Sequence, residues 1–362
     1  MRVSKWSRFQ HFNYINLINE GFETKFSLLY PLTVMILRCK LVQPIEDRYA
    51  GRARRRALDI RQGRGNKMHL STHNWMRAEP LETTVRRIKK MGYESIEISG
   101  EPDQYNTKET LALLKEHDIR CWGAVTLTLG ERNLAAKDQG QRERSVDYVK
   151  SVLTMVSELE GEIITLVPAT VGKVVPDGTP EEEWGWVVDA TKECFHHAQK
   201  VGVRIAVEPL NRFETYLFNR GAQALALADA VSPEVGVCLD AFHLNIEEED
   251  MFQTIRDIGD RLFDFHVADN NRFAAGLGHI DWPTVIQTLK DIGYDGAVTN
   301  EFVAPVDRTP AAPYPDMVDT NPTDISPEQL KFIQDHGSSV LTEEFYAEQM
   351  QITADTILPL IK

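Results

Sequence analysis

Eight short runs of strand character, each followed by a stretch of helical periodicity, predict an α/β fold of the (β/α)8 TIM-barrel type. Three observations carry that prediction. The runs recur at the interval of one βα unit. A helix-ending join is repeated as Lys90-Met91-Gly92-Tyr93, Lys200-Val201-Gly202-Val203 and, one residue longer, Lys290-Asp291-Ile292-Gly293-Tyr294. In each join a Gly closes the helix and the chain re-enters a strand. Finally, four strands in succession carry an acid or an imidazole at or near their ends. A doubly wound sheet is the fallback.

The elements follow in order. Residues 69–73 form the first strand, and Leu81, Val85, Ile88 and Met91 recur at helical spacing after it. Residues 95–99 and 120–125 are the second and third strands, separated by a helix marked by Leu111 and Leu114. Val146, Val149, Val152, Val156 and Leu159 mark a long third helix before the strand at 163–167. A helix at 181–200 precedes strand five at 204–208, and a helix at 221–230 precedes strand six at 235–240. A helix at 247–258 leads to strand seven at 262–268, and one at 283–292 leads to strand eight at 297–301. A last helix covers 342–361.

Composition bounds the function. Of 362 residues, 42% are hydrophobic and 26% charged, as in an ordinary globular enzyme. The longest apolar stretch, residues 26–37, contains Pro31 and is too short to span a bilayer, so no membrane association is expected. The four cysteines, Cys39, Cys121, Cys194 and Cys238, are scattered without a CxxC pair. That spacing argues against a disulfide framework and for a reducing, cytoplasmic setting. The net charge of −14 is uneven. Residues 1–67 carry 14 Lys and Arg against 5 Asp and Glu, and the other 295 residues carry 26 against 49. An acidic body does not seek phosphate backbones, which excludes nucleic acid as an expected partner.

Residues 1–67 form a basic extension with little periodicity and a run of Arg52, Arg54, Arg55 and Arg56. Three readings compete: an Arg-rich targeting segment, a disordered basic arm, or upstream sequence preceding a true start at Met68. The third is favoured, because regular patterning begins at Met68. No site chemistry is placed in this segment, and residues 68–362 are taken as the catalytic barrel.

Glu208 ends strand five, Asp240 ends strand six, His266 lies near the end of strand seven and Glu301 ends strand eight. Strand side chains alternate faces. Ile205 and Val207 oppose Ala206 and Glu208. Val235, Val237 and Leu239 oppose Gly236, Cys238 and Asp240. Phe263, Phe265 and Val267 oppose Asp264 and His266, and Val298 opposes Ala297, Thr299 and Glu301. The large apolar set is expected to pack on the helices and the small or polar set to face the barrel axis. The four residues then converge at the C-terminal mouth, where barrel enzymes place their chemistry. Three carboxylates and an imidazole cannot sit bare in one place, and a divalent cation resolves the repulsion. An O/O/O/N donor set suits Mn²⁺ first, with Mg²⁺ or Co²⁺ as alternatives.

Three stretches make the chain similar to the ketose 3-epimerases, the D-tagatose and D-psicose 3-epimerase group of the xylose-isomerase-like TIM barrels. They are Glu208-Pro-Leu-Asn-Arg-Phe-Glu214, Leu239-Asp-Ala-Phe-His-Leu-Asn-Ile-Glu-Glu248 and Phe265-His-Val-Ala-Asp-Asn-Asn-Arg272. The resemblance spans about residues 68–302. It implies that Glu208, Asp240, His266 and Glu301 bind the metal and that Glu208 and Glu301 are the acid/base pair. It also implies that Glu214, His243 and Arg272 hold the oxygens of a small sugar substrate. There are two departures from the family pattern. Ala268-Asp269 stands where members often carry Gly-Glu. A run holding Pro305, Pro310, Pro313, Pro315 and Pro322 replaces the usual Gly-rich turn after Glu301. The Pro-rich run is expected to form a stiff loop beside the mouth.

The chemistry expected of such a site is epimerisation of a free ketose through an enediolate, one glutamate removing a proton and the other returning one to the opposite face. An aldose–ketose isomerase shares the first half of that reaction. A metal-assisted lyase on a keto-sugar also begins with proton loss beside a carbonyl. A non-catalytic sugar-binding barrel is the alternative of a different class. A homo-oligomer, dimer or tetramer, is expected. His196 and His197 read as surface or packing residues, Cys238 as a small packing residue and Trp282 as a helix staple. His73 and Trp75 could line the mouth but read equally well as structural, and Glu97 reads as an acid paired with a neighbour.

Overall fold

The computed structural model describes residues 67–305 and 340–362. The basic segment before Lys67 and the Pro-rich run beyond Pro305 lie outside the described residues. The eight strands are β1 His69–Thr72, β2 Ser95–Ser99, β3 Arg120–Val125, β4 Ile163–Leu166, β5 Arg204–Val207, β6 Gly236–Asp240, β7 Leu262–Val267 and β8 Ala297–Asn300. All neighbours pair in parallel, in the order β1-β8-β7-β6-β5-β4-β3-β2. A bridge between His73 and Glu97 closes the remaining seam between β1 and β2. The result is the (β/α)8 barrel that the alternation predicts.

The helices are α1 Leu81–Met91, α2 Thr107–Glu116, α3 Gln139–Glu158, α4 Pro180–Val201, α5 Gly221–Val231, α6 Ala241–Glu247, α7 Met251–Ile258, α8 Trp282–Asp291 and α9 Glu343–Ile361. Their ends obey local chemistry. Gly92 and Gly202 cap α1 and α4 at φ 87° and 75°, conformations open to a residue without a Cβ. Thr179 and Glu182 form a reciprocal capping box at the start of α4. One expected element is corrected. The helix expected at 247–258 starts only at Met251, after a separate short helix that the sequence reading missed, because Glu248 is extended and Asp250 begins the later one by accepting the amides of Phe252 and Gln253. The first of the two, α6, starts directly at the end of β6.

Side-chain alternation sorts the core into two layers. Ile205, Val207, Val237, Leu239, Phe265 and Val298 join the large cluster between sheet and helices. Each such side chain, fully buried, stabilises the fold by ~1.5–3 kcal/mol. Trp122, Ile163, Ala206, Cys238 and Ala297 plug the barrel interior. Phe263 departs from the expected alternation and packs on this inner plug. The register between β6 and β7 slips between Val237 and Cys238, so Phe263 has no partner across the ladder. A second slip in β2, between Ile96 and Glu97, leaves out Trp122 in the same way. Both bulges sit below the mouth, and the alternation resumes above them, so His266 keeps its expected inward direction.

Candidate active site

Glu208 and Glu301 are the first residues beyond β5 and β8. Their amides still follow the sheet, donating to Leu166 O at 2.9 Å and Val267 O at 3.0 Å. Asp240 ends β6 and caps α6, its Oδ1 accepting the Phe242 amide at 2.7 Å. His266 lies level with Asp240 on one side and Thr299 on the other. All four side chains are buried at the C-terminal mouth. His266 Nδ1 is 2.7 Å from Glu301 Oε2 and 3.3 Å from Glu208 Oε1. Buried ligand atoms of Glu208, Asp240 and His243 lie within 4.8 Å of one another, as do those of Glu208, Cys238 and His266.

One atom of each expected ligand is left over. Glu208 Oε1, Asp240 Oδ2, His266 Nδ1 and Glu301 Oε2 are buried without a hydrogen-bond partner. Unpaired buried charges of this kind are costly. A divalent cation would take up lone pairs of this kind, and the residues present fit such an ion. The chemistry of the set, three carboxylate oxygens and one imidazole nitrogen, favours Mn²⁺, Mg²⁺ or Co²⁺. Cys238 is a poor ligand here, since burial pushes its thiol pKa well above the usual range. It packs in the inner plug, as expected of a small residue.

The electrostatics separate the carboxylates. Burial raises Asp240 well above the ordinary range, and Glu301 and Glu208 push the same way. Burial also raises Glu208, against the pull of His266. Glu301 is driven well below its ordinary value: burial opposes this, but His266 and His73 outweigh it. The surroundings of the two glutamates thus push them in opposite directions.

The three residues expected to hold substrate also meet, around a residue the sequence reading did not single out. Arg272 Nη1 donates to Glu214 Oε1 at 2.6 Å, and Asn211 Nδ2 donates to the same oxygen at 2.8 Å. The Asn211 amide donates to His243 Nδ1 at 3.2 Å. His243 Nε2 then faces Asp240 Oδ2 at 3.8 Å. Burial pushes the His243 pKa down to about 4, so it serves as a neutral donor. Arg272 stands at φ 64°, its guanidinium 4.8 Å above the Phe242 ring. Asn211 lies inside the Glu208–Glu214 stretch, and only its side-chain partners reveal its part.

His73 and Glu97 belong to this centre as well. His73 Nε2 is 3.6 Å from Glu301 Oε2, and the His73 and His266 rings meet edge to face at 4.7 Å. Glu97 Oε2 is 3.6 Å from His266 Nε2 and 3.9 Å from His73 Nδ1. The inward parity of Glu97 and the strand-end place of His73 were the available signals. His197 stays with the helices, its Nε2 2.9 Å from Thr154 Oγ1. Trp282 is more than a staple, because its Nε1 donates to Asp269 Oδ2 at 3.0 Å.

Fold and site together define an α/β barrel enzyme scaffold with a buried acid–imidazole centre at its C-terminal mouth. The chain belongs to the xylose isomerase-like TIM-barrel family, whose model matches residues 85–336. It is 29% identical over 228 residues to the D-psicose 3-epimerase of Ruminiclostridium cellulolyticum, covering 60% of this chain and 76% of that protein. It is 29% identical over 233 residues to the 3-dehydro-D-guloside 4-epimerase of Escherichia coli, covering 62% of this chain and 87% of that protein. Its fold matches the crystal structure of D-allulose 3-epimerase from Methylomonas sp. in complex with D-allulose. That match has a TM-score of 0.68 at 21% identity, covering 82% of this chain and 98% of the other. Among the described residues no helix is long and apolar enough to cross a membrane.

Proposed function

We propose that this chain is a metal-dependent sugar epimerase that inverts a carbon beside a carbonyl, with a free ketose as substrate. The carrying observation is the convergence at the barrel mouth of Glu208, Asp240, His266 and Glu301, each with a buried atom left unpartnered. The related proteins named above act on C3 of a 2-ketose and on C4 of a 3-keto sugar. Both reactions begin with loss of a proton next to a ketone, which supports the same class of step here.

A divalent cation, Mn²⁺ by preference, would be held by those four residues and would supply positive charge beside the carbonyl oxygen as the C–H bond breaks. The protein does the rest. Glu208 and Glu301, reaching the centre from two different strands, are suited one to take the proton and the other to return one from the other face. Arg272, positioned by Glu214 and by the Phe242 ring, offers N–H donors to hydroxyl oxygens. His243 offers a neutral Nε2–H. Burial of the centre excludes bulk water from the exchanging proton.

The test is a panel of free sugars in D₂O with added Mn²⁺, read by carbon-resolved NMR. Deuterium at the inverted carbon beside the carbonyl is expected. Chelation should abolish turnover and lower the melting temperature, because an ion bound by the native state alone stabilises it. Deuterium at C1 with an aldose product indicates an isomerase, and loss of a substituent indicates a lyase. Sugar binding without turnover indicates a non-catalytic barrel. Full activity after exhaustive chelation, with no metal by elemental analysis, overturns the metal assignment.

A further inference from the structure

Below the four candidate ligands lies a second pair of carboxylates that the chemistry above does not use. Glu97 and Asp264 are fully buried, and both face the far nitrogen of His266. Nε2 is 3.6 Å from Glu97 Oε2 and 3.7 Å from Asp264 Oδ2. The two acids are not equivalent. Asp264 already accepts Phe265 N at 3.0 Å, Trp122 Nε1 at 3.2 Å and Thr165 Oγ1 at 3.3 Å. Glu97 accepts the Thr299 hydroxyl on Oε1, but its Oε2 has no donor. His266 Nε2, buried beside it, has no partner either.

A neutral imidazole carries a single N–H. On Nδ1 that proton would occupy the lone pair aimed between Glu208 and Glu301. On Nε2 it meets the open oxygen of Glu97. Glu97 is well placed to hold it, standing where the bridge to His73 closes the barrel seam and gripped from β8 by Thr299. We propose that Glu97 is a positioning residue of the centre: its Oε2 accepts the Nε2–H of His266 and fixes the tautomer that presents Nδ1 to the cation. Carboxylates behind a metal-bound imidazole orient the ring and raise its basicity. The inference rests on the reading of His266 as a ligand.

The test measures Mn²⁺ affinity of the full chain by titration calorimetry. Glu97→Gln is expected to weaken Mn²⁺ binding by about 10–100-fold. Glu97→Asp, which restores a carboxylate, should recover part of the loss. Thr299→Val removes the hydroxyl that grips Glu97 but leaves the carboxylate at His266, and it should weaken Mn²⁺ binding by less than Glu97→Gln does. Histidine NMR of the wild-type chain loaded with diamagnetic Zn²⁺ should show His266 protonated at Nε2 and free of a proton at Nδ1. The opposite tautomer overturns the proposal, whether or not the variants fold. Unchanged affinity in a folded Glu97→Gln chain overturns it too. Two ions per wild-type chain, with one lost in Glu97→Gln, would make Glu97 a ligand and also overturn it. A wild-type chain that binds no Mn²⁺ sinks the metal assignment itself, an outcome distinct from a metal-binding chain indifferent to Glu97.

Discussion

At the centre of the mouth, Glu208 and Glu301 approach one nitrogen of His266 from two strands. Burial and the neighbouring imidazoles push their proton affinities apart. Glu208→Gln and Glu301→Gln each keep an oxygen for the metal and remove the proton-transferring group. Each is expected to lose turnover by about 10²–10⁴-fold or more. With the two serving opposite faces, as proposed, each variant should lose solvent-deuterium exchange from one epimer more than from the other. If one variant stayed near wild type, a single base would suffice and the isomerase or lyase reading would replace the epimerase. At the foot of β1, burial and then the charge of Arg120 push His69 down to about 4 from an ordinary 6.5. The unfolded chain therefore binds more protons between those values. The contribution is fully present above pH 6.5 and is lost as pH falls toward 4. A gap of about 2.5 pH units, at ~1.4 kcal/mol each, makes this up to roughly 3 kcal/mol. His69→Phe keeps a ring against Trp122 and should flatten that share of the pH dependence in urea unfolding, leaving the share of His243.

Among the elements, the loop after β7 carries Arg272, proposed above to hold substrate hydroxyls. Asp269 organises that loop. Its Oδ1 accepts Asn270 N at 2.9 Å and Ile280 N at 3.1 Å, and its Oδ2 accepts Gly276 N at 2.9 Å and Trp282 Nε1 at 3.0 Å. Burial opposes ionisation, but these donors outweigh it and hold the carboxyl below its ordinary range. The Arg272 amide donates to Asp269 O at 2.8 Å, which holds the turn that carries φ 64°. Asp269→Asn sets an amide N–H₂ against two of the four donors and should cost ~1–3 kcal/mol in chemical denaturation. Its KM should rise more than its kcat falls, since the loss acts through Arg272 rather than the glutamates. Equal losses in both would show that the loop serves the proton transfer instead. At the Ala268-Asp269 departure the acid thus anchors the head of the loop.

For the whole molecule, the β1–β2 seam is held by the Glu94 amide donating to Leu70 O at 3.0 Å and by a bridge that joins two residues of the centre, His73 and Glu97. Every described strand and helix begins at or after His69. We propose that residues 68–362 are the catalytic unit. A chain starting at Met68 is expected to remain folded by circular dichroism and to retain turnover on the same sugar. Insolubility or loss of activity would place the basic segment within the fold or its assembly.

Periodicity alone determined the eight βα units and the convergence of Glu208, Asp240, His266 and Glu301, because strand parity and strand ends are local properties of the chain. The glycine joins were legible for the same reason, since a helix C-cap is chosen within a few residues. Tertiary structure decided the rest. Phe263 turned inward because of a slip in register between two strands, which neither strand encodes by itself. Asn211 met His243 only when β5 and β6 came side by side. Glu97 and His73 lie far before His266 in the chain and reach it only when the barrel closes. A side chain's direction is written in the strand that carries it, whereas its partners depend on which strands the closed barrel places across the axis.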